Sequence, residues 1–240
     1  MHLIEFKKVK KSFDKKEVLK DVSFDVNEGE VFGLIGKSGG GKSTLLKILI
    51  GLLCIDSGEI IFEGKNALKK LNYLRKNTGF ATQENMLFQE LSVKENAFYF
   101  GDLYGMKKSA IKEEFDKLIK LLGLYGHEKT LIKNLSGGMQ KRANILVSLI
   151  HKPKLLILDE PTVGLDSILR DILWKYIHEI NKTGTTILVT SHLLDEIEEN
   201  CDRIGILEKG EVGGVGTIKQ YKTKFGKNKS LNQIFQEILK

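Results

Sequence analysis

The sequence predicts an α/β fold with a mostly parallel sheet and an inserted helical segment, and three observations predict it. Val31–Ile35 and the runs 155–158 and 187–189 are short and wholly apolar. That is the pattern of strands buried on both faces of a parallel sheet. Stretches of helical periodicity separate these runs, so the connections between them are crossovers. From about 86 to 150 no convincing strand pattern occurs.

Along the chain, residues 3–9 and 18–26 alternate as half-buried strands do, and Glu28, Gly29 and Glu30 turn into the first buried run. A glycine loop follows, then an apolar helical stretch over 43–53. In the helical segment Ile111, Phe115, Leu118, Ile119 and Leu122 share one face at a 3.6-residue period, with Ser109 as the expected N-cap. Residues 204–207 read as another buried strand. Leu231, Ile234, Phe235, Ile238 and Leu239 form an amphipathic closing helix, expected to pack on its own domain. The expected organisation is one domain: an α/β core over 1–85 and 150–216, a helical subdomain over 86–149, and a basic tail over 217–240 with that helix.

Hydrophobic residues at 41% and charged residues at 29% exclude wholesale disorder, and two prolines exclude a long proline-rich linker. The cysteines, Cys54 and Cys201, make no metal or redox spacing and read as buried small hydrophobes in a reducing compartment. The longest apolar stretch, 45–55, is broken by Lys47 and is about half the length of a membrane span. The N-terminus lacks the apolar core of a signal peptide, so a cytoplasmic protein is expected. The net charge of +7 sits at the ends: seven Lys against three acids in residues 1–20, and six Lys against Glu237 in 217–240. The middle, with 25 basic and 27 acidic residues, is no specific nucleic-acid surface. The Lys-rich ends read as solvated flanks or as attraction to an anionic leaflet.

Gly36-Lys37-Ser38-Gly39-Gly40-Gly41-Lys42-Ser43 fits the phosphate-loop pattern GxxxxGK[ST], with a buried strand leading in and a helix leading out. Glycines let the backbone wrap phosphates closely, and the helix N-terminus adds positive potential. Lys42 places a charge on the β- and γ-phosphates, and the Ser43 hydroxyl suits Mg²⁺. The run 155–158 ends in Asp159-Glu160-Pro161. A carboxylate at the end of a buried strand suits a Mg²⁺ that bridges two phosphates, which gives Asp159 that role. Glu160, directed differently, is free to take a proton from an attacking water.

The loop alone leaves kinases, GTPases, helicases and transporters open. A guanine-reading NKxD is missing, since Asn181-Lys182-Thr183-Gly184 lacks the acid. Leu135-Ser136-Gly137-Gly138-Met139-Gln140-Lys141-Arg142 decides, because it resembles the signature motif of ABC-type ATPases. The ordered series around it fits the same family: Phe13, Gln83, the Asp159-Glu160 pair, Val163-Gly164-Leu165-Asp166, and His192 after a buried strand. The resemblance spans roughly residues 3–216 and implies a P-loop NTPase (RecA-like) core with N-terminal antiparallel strands.

It also implies ATP and Mg²⁺ as ligands, a nucleotide set of Phe13 and Gly36 through Thr44 (Gly36, Lys37, Ser38, Gly39, Gly40, Gly41, Lys42, Ser43, Thr44), and Ser43, Gln83 and Asp159 at the metal. Glu160, His192, Gln83 and Lys42 are the implied catalytic residues. Ser136, Gly137, Gly138 and Met139 would cap the γ-phosphate on a second copy or a homologous domain, and Asp166 would communicate across that dimer. Residues 84–100 resemble the groove that receives a helix from a membrane permease, with the ATPase on the cytoplasmic face. Departures are Met139 for Gln (a variant met among exporters), Lys37 and Ser167 where Pro is usual, and Cys54-Ile55-Asp56 for a Pro-containing turn. The rival reading is a soluble ABC ATPase in assembly, for example of an iron–sulfur scaffold.

Overall fold

The computed structural model describes residues 1–14, 16–84 and 86–238. Asn85 of the expected groove and Leu239 of the closing helix lie outside the described residues. In chain order the elements are β1 (His2–Phe13), β2 (Lys16–Asn27), β3 (Val31–Ile35), α1 (Lys42–Leu49), β4 (Ser57–Phe62), β5 (Lys65–Asn66) and α2 (Leu71–Lys76). Next come β6 (Thr78–Ala81), α3 (Val93–Leu103), α4 (Lys108–Leu121), α5 (Gly137–Leu149), β7 (Leu155–Asp159) and α6 (Ser167–Lys182). The last are β8 (Thr186–Ser191), α7 (Leu194–Asn200), β9 (Arg203–Glu208), β10 (Glu211–Thr217), α8 (Ile218–Phe225) and α9 (Leu231–Ile238). They fall into two compact units, Met1–Arg75 with Thr186–Lys240, and Lys76–Thr185.

The first unit holds an antiparallel sheet in the order β2-β1-β4-β5 and a parallel set in which β3 lies between β8 and β9. β10 pairs antiparallel with β9. Every residue of β3 and β8 is buried, as their unbroken apolar or Thr/Ser character requires of strands covered on both faces. Stacked rings tie this unit together: Phe6 on Phe24 at 4.4 Å and Phe24 on Phe32 at 5.5 Å. β1 and β2 run further than apolar alternation alone predicts, because backbone pairing continues through Lys11 and Ser12. The apolar stretch after the loop stops being helical at Leu49. Gly51 adopts φ 71 and Leu52 is exposed, so hydrophobicity there does not mean helix. α9 buries Leu231, Ile234 and Phe235 and packs on α7 and α8, its first N–H donating to Glu198 at 2.6 Å.

In the second unit β6 and β7 pair in parallel, α5 packs on β6, and α3, α4 and α5 pack on one another. Ile111, Phe115, Leu118, Ile119 and Leu122 are all buried, at about 1.5–3 kcal/mol for each large side chain. α4 starts before the expected cap. Lys107 takes the cap position with no side-chain bond, and Ser109 already lies in the first turn. The cause is the tight turn at Gly105, φ 73, with Met106 N–H bonded to Gly101 C=O. Among the described residues of 86–149 the only β pairing is an isolated bridge, Ser92 to Leu131.

Candidate functional site

Each unit carries its own cluster of the expected residues at the C-terminal ends of parallel strands. In the first, Ile35 is in register with Ser191, so the phosphate loop and His192 leave neighbouring strands at one level. This is where open parallel sheets bind ligands. Gly36 is packed so closely that a Cβ would lie 2.0 Å from the Leu207 carbonyl. Gly41, at φ 106, caps α1 without any side chain, and a Cβ there would lie 2.8 Å from Leu19 Cδ2. The loop therefore cannot accept side chains at these points. The Lys42 side chain is buried and donates to Gly36 O at 2.7 Å and Lys37 O at 3.3 Å. Its ammonium is thereby held within the curve of the loop. Lys37, Ser38 and Ser43 are exposed and Thr44 is half-buried.

Phe13 is 42% exposed, so it does not join the core as a strand-end Phe usually does. Lys11 Nζ lies 5.3 Å from its ring centre. Asp56 holds this strand end, accepting from Lys11 Nζ at 2.9 Å and Ser12 N–H at 2.6 Å. The Lys11 bond, then that of Ser12, keeps its carboxyl below the usual range. The turn read as a departure, Cys54-Ile55-Asp56, thus anchors the strand that ends in Phe13. Cys54 itself is exposed, against expectation, because it sits in this open turn. The Cys201 thiol faces Gly33, and burial pushes its pKa well up.

In the second unit Ala81 is in register with Leu158, so Gln83 and the Asp159-Glu160 pair also leave adjacent strands at one level. Asp159 and Glu160 are half-buried, and Gln83 is exposed. Glu160 adopts φ 51 directly before Pro161, a left-handed conformation that costs a non-glycine residue about 1–2 kcal/mol. Asp166 caps α6, its Oδ1 accepting from Leu169 N–H at 2.9 Å. Ser136 caps α5, its Oγ accepting from Met139 N–H at 3.4 Å, and Ser136 and Gly137 are exposed.

Three residues of α5 escaped the sequence reading. Lys141 Nζ donates to Gln83 O at 3.1 Å, Asn144 Nδ2 to Thr82 O at 3.3 Å, and Ser148 Oγ to Phe80 O at 3.0 Å. Beyond the helix, His151 Nε2 donates to Thr78 O at 3.1 Å. Burial lowers the pKa of Lys141, and the Glu160 carboxylate opposes that shift. The signal was present as three polar residues at i, i+3 and i+7, the last two of them within the otherwise apolar run from Ala143 to Leu149.

Residues 19–163 match the family described as ABC transporter. The chain belongs to that family. It is 37% identical over 224 residues to the linearmycin resistance ATP-binding protein LnrL of Bacillus subtilis, covering 93% of this chain and 72% of that one. To the Nod factor export ATP-binding protein I of Rhizobium sp. it is 39% identical over 202 residues, covering 84% and 66%. The ABC chain described here thus spans about two thirds of the length of such relatives. A solved ATP-binding subunit of an ABC transporter superposes with TM-score 0.89 and 29% identity over 99% of this chain and 100% of that one. CbiO1 of Clostridium perfringens, part of the transporter complex cbiONQ, superposes with TM-score 0.86 and 28% identity over 100% and 99%. Membership makes the chain an ATP-binding ATPase subunit. No helix among the described residues is long and apolar enough to cross a membrane.

The loop fits ATP, since the close backbone packing at Gly36 and the ammonium of Lys42 are what a polyphosphate needs. Among the described residues no group of three or more His, Cys, Asp or Glu could hold a metal on protein ligands alone. Ser43 and Asp159 each carry a hard oxygen donor of the kind Mg²⁺ prefers.

Proposed function

We propose that this ABC subunit hydrolyses ATP to drive a separate membrane permease, as an exporter, attached to the cytoplasmic face of the membrane. One observation carries the reading: Lys42, held by two carbonyls within a glycine-lined loop. The names of two relatives, one for Nod factor export and one for linearmycin resistance, support the direction of transport.

In this reading the loop from Gly36 to Thr44 holds the phosphates, Lys42 places its charge on the β and γ groups, and the Phe13 ring stacks on adenine. Ser43, Gln83 and Asp159 hold Mg²⁺, which when bound neutralises charge on the phosphate oxygens. Glu160 takes the proton of the attacking water, Gln83 orients that water, and His192 holds the γ-phosphate. Two copies pair head to tail, each presenting Ser136, Gly137, Gly138 and Met139 to the other's nucleotide, with Asp166 communicating between them. The helical subdomain is taken as 86–149 within a core of 1–85 and 150–216, followed by the tail of 217–240.

The permease contact is assigned to residues 84–100. Met86 and Phe88 are exposed, as are Tyr99 and Leu103, while buried Asn96 fixes Phe88 by bonds to its N–H (2.9 Å) and C=O (3.1 Å). A firmly held apolar surface suits an apolar helix of a partner.

The test is Glu160→Gln. Turnover falls by about 10²–10⁴, the usual worth of a general base, while ATP still binds and a dimer appears on gel filtration. Near wild-type turnover in that variant removes Glu160 as the base. Purification in mild detergent recovers an integral membrane protein; recovery of soluble scaffold proteins alone would favour the assembly reading.

A further inference from the structure

We propose that Lys141 is a positioning residue for ATP hydrolysis, its ammonium fixing the main chain at Gln83 from the second turn of the signature helix. The inference rests on the reading above, in which Gln83 contacts the attacking water and Glu160 accepts its proton.

Three observations within the second unit carry it. First, α5 lies on β6 at the closest possible range: a Cβ on Gly79 would stand 2.1 Å from the Ser148 carbonyl. Second, β6 is an edge strand: the carbonyls of Thr78 and Phe80 within it, and of Thr82 just after it, each accept from a side chain of α5 or from His151, two residues past that helix. Those three bonds satisfy an edge that would otherwise stay open, so they serve the fold. Third, one residue beyond Thr82 and two beyond the strand, Lys141 reaches the carbonyl of Gln83.

That last bond differs in kind from the others. Asn144 and Ser148 are buried and bind the strand or its first following residue, whereas Gln83 is exposed and belongs to the loop. A cation is the strongest donor available for a single bond to a loop carbonyl. One side chain thus ties the loop that bears Gln83 to the helix that begins with the signature residues.

The experiment measures ATP hydrolysis, thermal unfolding and MgATP-dependent dimer formation in the full chain. Lys141→Met is expected to lower kcat about tenfold, with KM within twofold, unfolding within about 2 °C and dimer formation intact. Lys141→Arg keeps a cation of similar reach and is expected to restore at least half of kcat. Asn144→Ala and Ser148→Ala are expected to do the reverse, lowering the unfolding temperature by several degrees while kcat stays within threefold. The proposal is overturned if Lys141→Met keeps kcat within twofold. It is equally overturned if Lys141→Arg is as slow as Lys141→Met and both melt early, since the residue is then only structural. Glu160→Gln separates the two levels: full turnover there overturns the site reading and this inference together. Loss of turnover there with an unaffected Lys141→Met overturns this inference alone.

Discussion

Two helices of this chain start at glycines, and they start differently. α1 follows a left-handed Gly41 with no side-chain cap, and its first residue, buried Lys42, donates back into the loop. α5 follows Ser136, which caps its own helix, and its opening glycine is exposed. Neither helix has an acid in its first turn, which they share with α2, α4, α6, α8 and α9, while α3 and α7 carry Glu95, Asp195 and Glu196 there. An acid in the first turn would complement the helix dipole, and without one both ends keep their positive potential. The difference lies in self-sufficiency. The first start has a fixed cation and a closed cradle, while the second offers only a weak, half-capped dipole end. Binding should therefore belong to the first and turnover to both.

Substitutions can break or sharpen that contrast. Lys42→Ala is expected to weaken ATP binding about 100-fold or more, read by titration with a fluorescent ATP analogue, because a charge-assisted contact to phosphate is lost. Gly137→Glu is expected to leave that affinity within about threefold and to lower turnover by about 10², since it places a carboxylate at the exposed start. If both variants lose affinity alike, the two starts are equivalent and the contrast fails.

Gly79→Ala tests how tightly α5 is seated. Overpacking against the Ser148 carbonyl should cost about 2–3 kcal/mol and lower Tm by roughly 5–10 °C, measured by circular dichroism. His151 offers a milder probe of the same seam. It stacks on Tyr104 at 3.7 Å, and burial holds its pKa at about 4 against 6.5 when unfolded. The folded form is thus neutral, so this stabilisation is whole above pH 6.5 and drains away as pH falls towards 4. His151→Gln should flatten the decline of Tm over that window. The smallest effect is expected at Asp56→Asn, which loosens the strand end bearing Phe13 and raises the KM for ATP two- to threefold.

The features legible in the sequence share one property: they depend on a residue's own chemistry. The apolar runs at β3, β7 and β8 are legible because a strand covered on both faces is filled mainly by apolar side chains. The face of α4 and the phosphate loop are legible for similar reasons. What stayed hidden depends on a neighbour. Lys141, Asn144 and Ser148 bond to main-chain carbonyls, which leave no mark on the identity of residues 80, 82 and 83. Likewise, Ser109 is a good capping residue that went unused because the turn at Gly105 starts the helix sooner. Cys54 looked like an interior residue, and only the geometry of its turn leaves it outside.

The contrasting surroundings of the two cysteines have a practical consequence. With Cys54 open to solvent and the Cys201 sulfur pressed towards Gly33, a maleimide dye should attach at a single native position without any engineering. Two differently labelled pools mixed with nucleotide would then report the approach of one copy to another by energy transfer.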